Sequence, residues 1–353
     1  MSIFYEIEFA KYILPYRCIR YIIDDELGST ANDIRGDDDM EQDKDRLSIN
    51  VAKLYYESDM SQQKIANELG ISRPSVSRLL QYAKEHGFVQ IRIIDPTERG
   101  LSLADELCKK YNLKTVKIAN VPLNKNDEIK KAIGLKAAEY LYEIVKDNDI
   151  IGIGWGSSLY QMALHLKSKP VKKVQVVQLK GGISYSKLNT YAHEIITLVA
   201  KAFSTTGIFL PIPVMFDNTE VKRLVEQDKY VKNILDMGRR ANIAVVTVGP
   251  ASDESILFHL GYYINENDRE LLSQKAAGDL CSRFYDDNGK IVDEELNNRT
   301  AGIQLDEFQK KETRILVAGS KEKLRAIHAA LKAGYMNVLI TDQHTALALK
   351  EMN

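Results

Sequence analysis

The feature that most constrains the fold of this chain is the alternation of short apolar strands with amphipathic helices downstream of Pro96. The strand-like segments include DIIGIGWG (149–156), VQVVQLKGG (174–182), IAVVTVGP (243–250) and NVLITD (337–342). Segments of this kind are apolar on both faces, as are the strands of a parallel sheet that is covered by helices. The pattern therefore predicts a large doubly wound, Rossmann-like α/β domain over residues 97–353.

The preceding segment, residues 46–96, has the spacing of a DNA-binding helix-turn-helix. In QQKIANELGISRPSVSRLL, Ala66 is small where two helices would cross, Gly70 can adopt the left-handed conformation of a turn, and Val76 would fill the angle between the helices. The following FVQIRIID (88–95) alternates like a strand and would form a wing. The sequence therefore predicts a small N-terminal winged helix-turn-helix domain.

The outer face of the second helix of this motif would contact DNA. Arginine and glutamine can make bidentate contacts to base edges in a major groove, and short hydroxyls bind phosphates and bases. The residues predicted to do so are Ser72, Arg73, Ser75, Ser77, Arg78 and Gln81. Residues 46–94 hold seven basic and four acidic side chains, which agrees with a nucleic-acid partner without requiring one. The competing interpretation is an ordinary three-helix unit with a solvated polar face.

The first 45 residues differ in character from the rest of the chain. They hold five basic and twelve acidic side chains, and their second half is rich in turn-forming residues. This composition is typical of a poorly ordered acidic extension. Met40 lies just before the first well-patterned helix, so one hypothesis is that the natural start is Met40 and that residues 1–39 are a translated upstream extension. The alternative is a genuine acidic arm.

Composition narrows the class of protein further. A net charge of −1 and a hydrophobic content of 44% are those of a globular chain, and no apolar run reaches the roughly 18 residues that a membrane span needs. The cysteines Cys18, Cys108 and Cys281 are far apart, with no ligand-like spacing. We expect reduced thiols in a cytoplasmic protein, with neither a metal nor a cofactor.

Three predicted strand ends in the large domain carry residues suited to a ligand. The carboxyl ends of the strands are where open α/β sheets bind small molecules. One end carries the turn Gly156-Ser157-Ser158, which opens a helix whose N-terminus attracts anions. Another carries Lys180, and a third leads through VAGSKEK to Lys323. The glycine pattern lacks a Walker lysine and a ribose-binding acid, so it favours a phosphorylated small molecule over a nucleotide; the alternative is a tight structural turn.

Two side chains of the candidate site, Lys180 and Asp279, allow more than one interpretation. Lys180 follows a strand that reads as buried, and three interpretations remain open for it. Its head group could reach solvent past the sheet edge, it could pair with a phosphate without a covalent bond, or it could be a desolvated amine that attacks an aldehyde. Asp279, between a glycine and apolar residues, could be an inward carboxylate that accepts sugar hydroxyls, or a simple helix N-cap.

Beyond these single positions, long stretches of the chain resemble the SorC family of sugar-sensing transcriptional regulators. The stretches are LYYESDMSQQKIA, SRPSVSRLLQYAKEHGFVQIRI, VVQLKGGISYSKLNTY, GDLCSRF and VLITDQHTALAL. The resemblance covers residues 46–353 almost throughout. It implies a DNA-binding domain, an effector domain related to sugar-phosphate isomerases but without enzyme activity, and a homo-oligomer from dimer to tetramer or larger.

The resemblance also implies an effector. Family members that regulate deoxyribonucleoside use respond to deoxyribose 5-phosphate, held through an imine to the lysine of a QLKGG motif, and Lys180 matches that lysine. Most of the wider family has Asn or Pro there. The phosphate would then fall to Gly156, Ser157, Ser158 and Lys323, with Asp279 near the sugar hydroxyls.

The expected function is that of a transcriptional repressor of deoxyribonucleoside catabolism genes, released from its operator by this sugar. Two alternatives stay open. The first is a regulator that binds another sugar phosphate without a covalent bond. The second is a sugar-phosphate isomerase or aldolase, and the helix-turn-helix pattern argues against it. The sequence also shows no acid–base pair for turnover near Lys180.

Overall fold

The computed structural model describes residues 37–91, 103–183, 186, 188–260 and 265–353, with side chains from Gln42 onward. The chain divides between Pro96 and Thr97 into two compact units. The first 36 residues of the expected acidic extension, and the second half of the expected wing strand (residues 92–95), lie outside the described residues. No helix of the described part is long and apolar enough to cross a membrane.

Three helices make up the described part of the first unit. They are α1 (Asp37–Tyr56), α2 (Gln62–Leu69) and α3 (Arg73–Glu85). The hydroxyls of Ser61 and Ser72 cap α2 and α3, and Gly70 takes the left-handed conformation between them (φ 65°). Ile65, Ala66 and Val76 are buried at the contact of these helices, as their spacing predicts.

Two sequence expectations for this unit need correction. Residues 37–45 belong to helix α1 and are not a poorly ordered segment. Two contacts stabilise this extra length: Tyr82 donates a hydrogen bond to Asp45 (2.9 Å), and the buried Ser48 hydroxyl donates to the Asp45 carbonyl (2.8 Å). The residues from Phe88 to Ile91 lie in no strand, so no wing is seen in the described part of that segment.

The second unit is built on a parallel sheet. Its strands, in spatial order, are β1 (Thr115–Ala119), β10 (Val338–Asp342), β9 (Thr313–Val317), β5 (Ile243–Val246), β2 (Ile150–Ile153), β3 (Gln175–Gln178) and β4 (Gly207–Ile208). Every neighbouring pair of these strands is parallel. The strand order runs outward in opposite directions from β2 and β5, which creates a crevice where these two strands end.

Helices cover both faces of this sheet, as the apolar strands predict. They are α4 (Leu103–Tyr111), α5 (Asn126–Ile144), α6 (Ser157–His165), α7 (Ala192–Ala202), α8 (Thr219–Gln227), α9 (Lys229–Arg240), α10 (Glu266–Lys275), α11 (Glu294–Arg299), α12 (Leu305–Gln309), α13 (Leu324–Lys332) and α14 (Gln343–Glu351). Alternate residues of a strand face opposite cores. Val245 of β5 packs in the core that holds α5, α6 and α7, whereas Ala244 and Val246 pack in the core that holds α4, α13 and α14.

A small antiparallel sheet at the end of β5 was not expected from the sequence. It comprises β6 (Val248–Gly249), β7 (Gly278–Leu280) and β8 (Arg283–Tyr285). The loop between β7 and β8 is only Cys281 and Ser282, and both have positive φ (52° and 67°). A two-residue hairpin loop of this type usually contains Asn-Gly or Asp-Gly, so the sequence carries no signal for it.

Two segments of the large domain are short. Strand β4 is limited to Gly207–Ile208, because Pro211 and Pro213 cannot donate backbone hydrogen bonds to a neighbouring strand. A 3₁₀ turn (Lys321–Lys323) precedes α13, which starts at Leu324.

Candidate functional site

A cavity of ≈ 340 Å³ opens at the carboxyl ends of the central strands, within the second unit. Its volume is in the range of small-molecule sites. The crevice between β2 and β5 and the three strand ends expected to hold a ligand all contribute to it. The residues predicted for the site that line it are Gly156, Ser157, Lys180, Asp279 and Lys323.

Ser158 is the predicted site residue that does not line this cavity. It is the second residue of α6, and its side chain is 2% exposed within the domain. The first residues of a helix point in different directions, so only part of a Gly-Ser-Ser turn can face one ligand. The expected role of the Ser158 side chain is therefore not supported by its position.

The cavity also contains residues that the sequence did not single out. They include Asn126, Lys130, Trp155, Asn189, Tyr191, Thr247, Gly249, Glu254, Ser320 and Glu322. Trp155 lies inside the glycine-rich segment 152–158, where the pattern drew attention to the small residues instead. Lys130 and Asn126 come from the first turns of α5, which no motif marked.

Lys180 lies inside the protein and not at a solvated sheet edge. It is 5% exposed, and its Nζ donates a hydrogen bond to the Ser282 hydroxyl (3.0 Å). The same Nζ lies 3.6 Å from the centre of the Trp155 ring, whose Nε1 donates to the Gly181 carbonyl (2.8 Å). The interpretation of a lysine with a solvated head group is therefore wrong.

The backbone of Lys180 is held by a close approach of Gly302. Lys180 lies two residues beyond β3 and forms an isolated antiparallel bridge with Gly302. A Cβ at Gly302 (φ 115°) would come within 2.6 Å of the Lys180 Cα and 2.5 Å of the Leu179 carbonyl oxygen. Arg283 donates to the Gly302 carbonyl (3.0 Å) and so fixes this contact from the other side.

Asp279 lies in strand β7, so the alternative of a helix N-cap is wrong. Its side chain lines the cavity and is 5% exposed. The Ser282 backbone N–H donates to Asp279 Oδ2 (2.9 Å), and the Gly249 backbone N–H also hydrogen-bonds this carboxylate. A Cβ at Gly249 would overlap Asp279 Oδ1, so the carboxylate occupies the space that a larger residue would fill.

Burial shifts the titration of these groups toward their neutral forms. Desolvation lowers the pKa of Lys180, and the nearby Asp279 partly opposes that shift. Desolvation likewise raises the pKa of Asp279, against the charges of Lys180 and Lys323. Cys281 is also buried, and desolvation raises its pKa to about 11, so this thiol is no competing nucleophile at neutral pH. Lys180 is therefore a buried amine in the cavity wall whose neutral form is favoured by desolvation.

A second group of residues in the cavity suits an anion. Ser157 begins α6, and Ser320 precedes the 3₁₀ turn that leads into α13, so two helical N-termini face the same space. Lys323 donates from Nζ to the Thr247 hydroxyl (3.3 Å). Burial lowers the Lys323 pKa to about 8, so the ammonium form still predominates at pH 7. An aldehyde carbon near Lys180 and a phosphate near Lys323 could therefore share one molecule.

The predicted DNA-contacting residues lie on α3 and at its N-cap, and five of the six are exposed. These are Ser72, Arg73, Ser77, Arg78 and Gln81. Ser75 is 6% exposed, and its hydroxyl is within hydrogen-bonding distance of the Ser72 hydroxyl (2.9 Å). Ser75 therefore supports the start of the helix instead of facing outward.

Within the described residues, no group of three or more histidine, cysteine and carboxylate side chains is placed to hold a metal ion. Cys108 and Cys281 are free thiols.

Comparison with known proteins places this geometry in a family. The family model described as "Putative sugar-binding domain" matches residues 95–350. The chain is 51% identical over 310 residues to the deoxyribonucleoside regulator of Bacillus subtilis. This alignment covers 88% of the present chain and 99% of the Bacillus protein. It is 32% identical over 304 residues to the sorbitol operon regulator of Klebsiella pneumoniae, with 85% and 96% covered.

A solved structure agrees with these matches. The crystal structure of the full-length sorbitol operon regulator SorC from Klebsiella pneumoniae matches with a TM-score of 0.69 and 30% identity, over 87% of this chain and 98% of that one. The matches to the deoxyribonucleoside regulator and to the SorC crystal structure are longer than the second unit, so they extend into the first. The relatives are named as regulators of operons or of deoxyribonucleoside use. This chain is accordingly a transcriptional regulator that belongs to the SorC family of sugar-binding regulators.

Proposed function

We propose that this regulator represses genes of deoxyribonucleoside catabolism and leaves its operator when deoxyribose 5-phosphate binds in the second unit. The observation that carries the proposal is the buried Lys180 amine, which faces a cavity that also holds the Lys323 ammonium and two helical N-termini. The 51% identity to a protein named as a deoxyribonucleoside regulator supports the choice of sugar.

In this proposal the open-chain sugar forms an imine with Lys180. The neutral amine attacks the C1 aldehyde, and desolvation favours that neutral form because it lowers the pKa of Lys180. The phosphate lies against Ser157 and Lys323, and the positive charge of Lys323 offsets the negative charge of the phosphate. Asp279 is within reach of the sugar as an acceptor or donor of hydrogen bonds.

The first unit binds the operator as a helix-turn-helix, with α3 in the major groove and Arg73, Ser77, Arg78 and Gln81 toward the DNA. The left-handed Gly70 and the buried Val76 support this assignment. We further propose that the regulator acts as a homo-oligomer, because two-fold symmetric proteins read repeated half-sites. The sugar must bind more tightly to the conformation that cannot bind DNA, since a ligand that binds both conformations equally does not change their populations.

The second candidate is a regulator that binds a sugar phosphate by charge alone. In this candidate the ammonium form of Lys180 pairs with the anionic ligand. The cation–π contact between Lys180 and Trp155 favours the ammonium form and so supports this candidate. This candidate predicts no covalent adduct and a response to sugar phosphates that lack an aldehyde.

An operator-release experiment tests the function. Labelled DNA from the promoters of deoxyribonucleoside catabolism genes is bound by the full chain, and fluorescence anisotropy follows its release. We expect deoxyribose 5-phosphate to release the DNA and unphosphorylated deoxyribose to be at least about tenfold weaker, since one lost charged contact is worth at least about 1.4 kcal/mol. Equal potency of deoxyribose 5-phosphate and its reduced alcohol would favour the non-covalent candidate. No release by either would contradict the proposed effector.

A further inference from the structure

Forming an imine inside a protein requires proton transfers as well as a nucleophile, and the cavity contains a second group placed for them. We propose that Asp279 is the general acid of the Lys180 imine reaction and that the Ser282 hydroxyl positions the amine for it. The inference rests on the proposed function, because it concerns how the same site captures an aldehyde.

The geometry brings the two reacting groups to one hairpin loop. Lys180 and Asp279 both line the cavity, and each is 5% exposed. Ser282 connects them: its hydroxyl accepts a hydrogen bond from Lys180 Nζ (3.0 Å), and its backbone N–H donates to Asp279 Oδ2 (2.9 Å). Lys180 and Asp279 therefore face one cavity and are linked through a single residue, Ser282.

The protein holds this arrangement in a backbone conformation that costs energy. Cys281 and Ser282 both have positive φ, although neither is glycine, asparagine or aspartate. Residues other than glycine are unfavourable in this conformation and persist where the surrounding structure enforces it. Gly249 leaves just the space that Asp279 Oδ1 occupies. A loop that only connected two strands would usually carry Asn-Gly or Asp-Gly at these positions, so the presence of serine at 282 and the fit of Gly249 around the carboxylate both point to the placement of Ser282 and Asp279.

The proposed step conserves atoms and charge. The neutral Lys180 amine attacks the aldehyde carbon, and one amine proton moves to the former carbonyl oxygen to give a carbinolamine. Protonated Asp279 then gives its proton to that hydroxyl, the C–O bond breaks, and water leaves. The nitrogen lone pair forms the C=N bond, so the product is a cationic iminium beside an Asp279 carboxylate. The reverse sequence releases the sugar when its concentration falls.

The test separates the rate of imine formation from sugar binding. Full-length protein is mixed with deoxyribose 5-phosphate, quenched with borohydride at set times and analysed by intact mass. We expect Asp279→Asn to form the adduct at least about 10²-fold more slowly, the usual contribution of a general acid. Ser282→Ala should slow it by about tenfold or less, since it loses one hydrogen bond. Asp287→Asn, which alters an exposed carboxylate paired with Arg325 after the same hairpin, is the matched control and should keep the wild-type rate.

Two further measurements exclude a purely structural effect. Affinity for 2-deoxyribitol 5-phosphate, which has no aldehyde, should change by less than about tenfold in Asp279→Asn, within the value of a single hydrogen bond. In Asp279→Ala, added formate should restore part of the lost rate. An unchanged adduct rate in Asp279→Asn, or a slow rate that formate does not restore, would overturn the general-acid role while leaving the imine intact. Absence of any adduct in the wild type would overturn the imine itself.

Discussion

Lys180→Met should bind operator DNA as tightly as the wild type and fail to release it with deoxyribose 5-phosphate. Methionine has nearly the length of lysine without an amine, so it fits the buried site and removes both the imine and the charge. We expect the half-release concentration to rise by at least about 30-fold, because losing one partner of a buried, charge-assisted contact typically costs about 2–5 kcal/mol. Fluorescence anisotropy on the same DNA measures this shift.

Lys180→Arg distinguishes the covalent mechanism from simple charge pairing. Arginine retains a positive charge but forms no imine with an aldehyde under these conditions. A covalent sensor predicts that Lys180→Arg is also unresponsive, whereas a charge-pairing sensor predicts a response within about tenfold of the wild type. Lys180→Met removes both an unfavourably buried amine and a positive charge near the buried Asp279, and these effects oppose each other, so its melting temperature should stay close to that of the wild type. A lower melting temperature would point to a loss of structure instead.

Arg78→Ala should weaken operator binding much more than binding to unrelated DNA. Arg78 is exposed on α3, on the face that would enter a major groove. A bidentate contact from arginine to a guanine contributes about 1–3 kcal/mol of discrimination, so operator affinity should fall by about 5- to 150-fold. Affinity for unrelated DNA should fall only by the smaller amount that results from losing one positive charge near the phosphates. Titrations with operator and scrambled duplexes at one salt concentration measure both effects.

The control for Arg78→Ala is Arg325→Ala, which removes an exposed arginine from the second unit. Arg325 pairs with Asp287, so its loss should leave DNA affinity within about threefold of the wild type, because exposed ion pairs contribute little. If Arg78→Ala lowered affinity for operator and scrambled DNA by the same factor, Arg78 would contact phosphates and not bases. Unchanged operator affinity would remove Arg78 from the interface.

The sequence predicted much of this fold because its signals are local. Ala66, Gly70 and Val76 have the spacing of two helices joined by a tight turn, and in the structure α2 and α3 are joined at a left-handed Gly70, with Ala66 and Val76 buried. The strand ends at Gly156, Lys180 and Lys323 meet in one cavity because the carboxyl ends of parallel strands lie at one edge of a sheet. These inferences need only the periodicity of the chain and a general rule about open sheets.

What the sequence did not reveal depends on contacts between distant segments. Ser282 lies beside Lys180 because a hairpin 102 positions further along the chain folds over the end of β3. The loop of this hairpin contains no glycine or asparagine, so the sequence did not predict a turn there. The same hairpin brings the carboxyl group of Asp279 into the cavity that Lys180 lines, although the sequence showed no acid–base pair near Lys180. Ser75 and Ser158 were misjudged because the direction of a side chain near a helix start depends on its neighbours.

The most direct test of the covalent account is borohydride trapping in the wild-type protein. The full chain is incubated with deoxyribose 5-phosphate and borohydride, and the product is digested and sequenced by mass spectrometry. The account predicts one reduced sugar phosphate per chain, attached to Lys180 and absent from Lys180→Met. Operator release without any trapped adduct, or an adduct on another lysine such as Lys323, would contradict it.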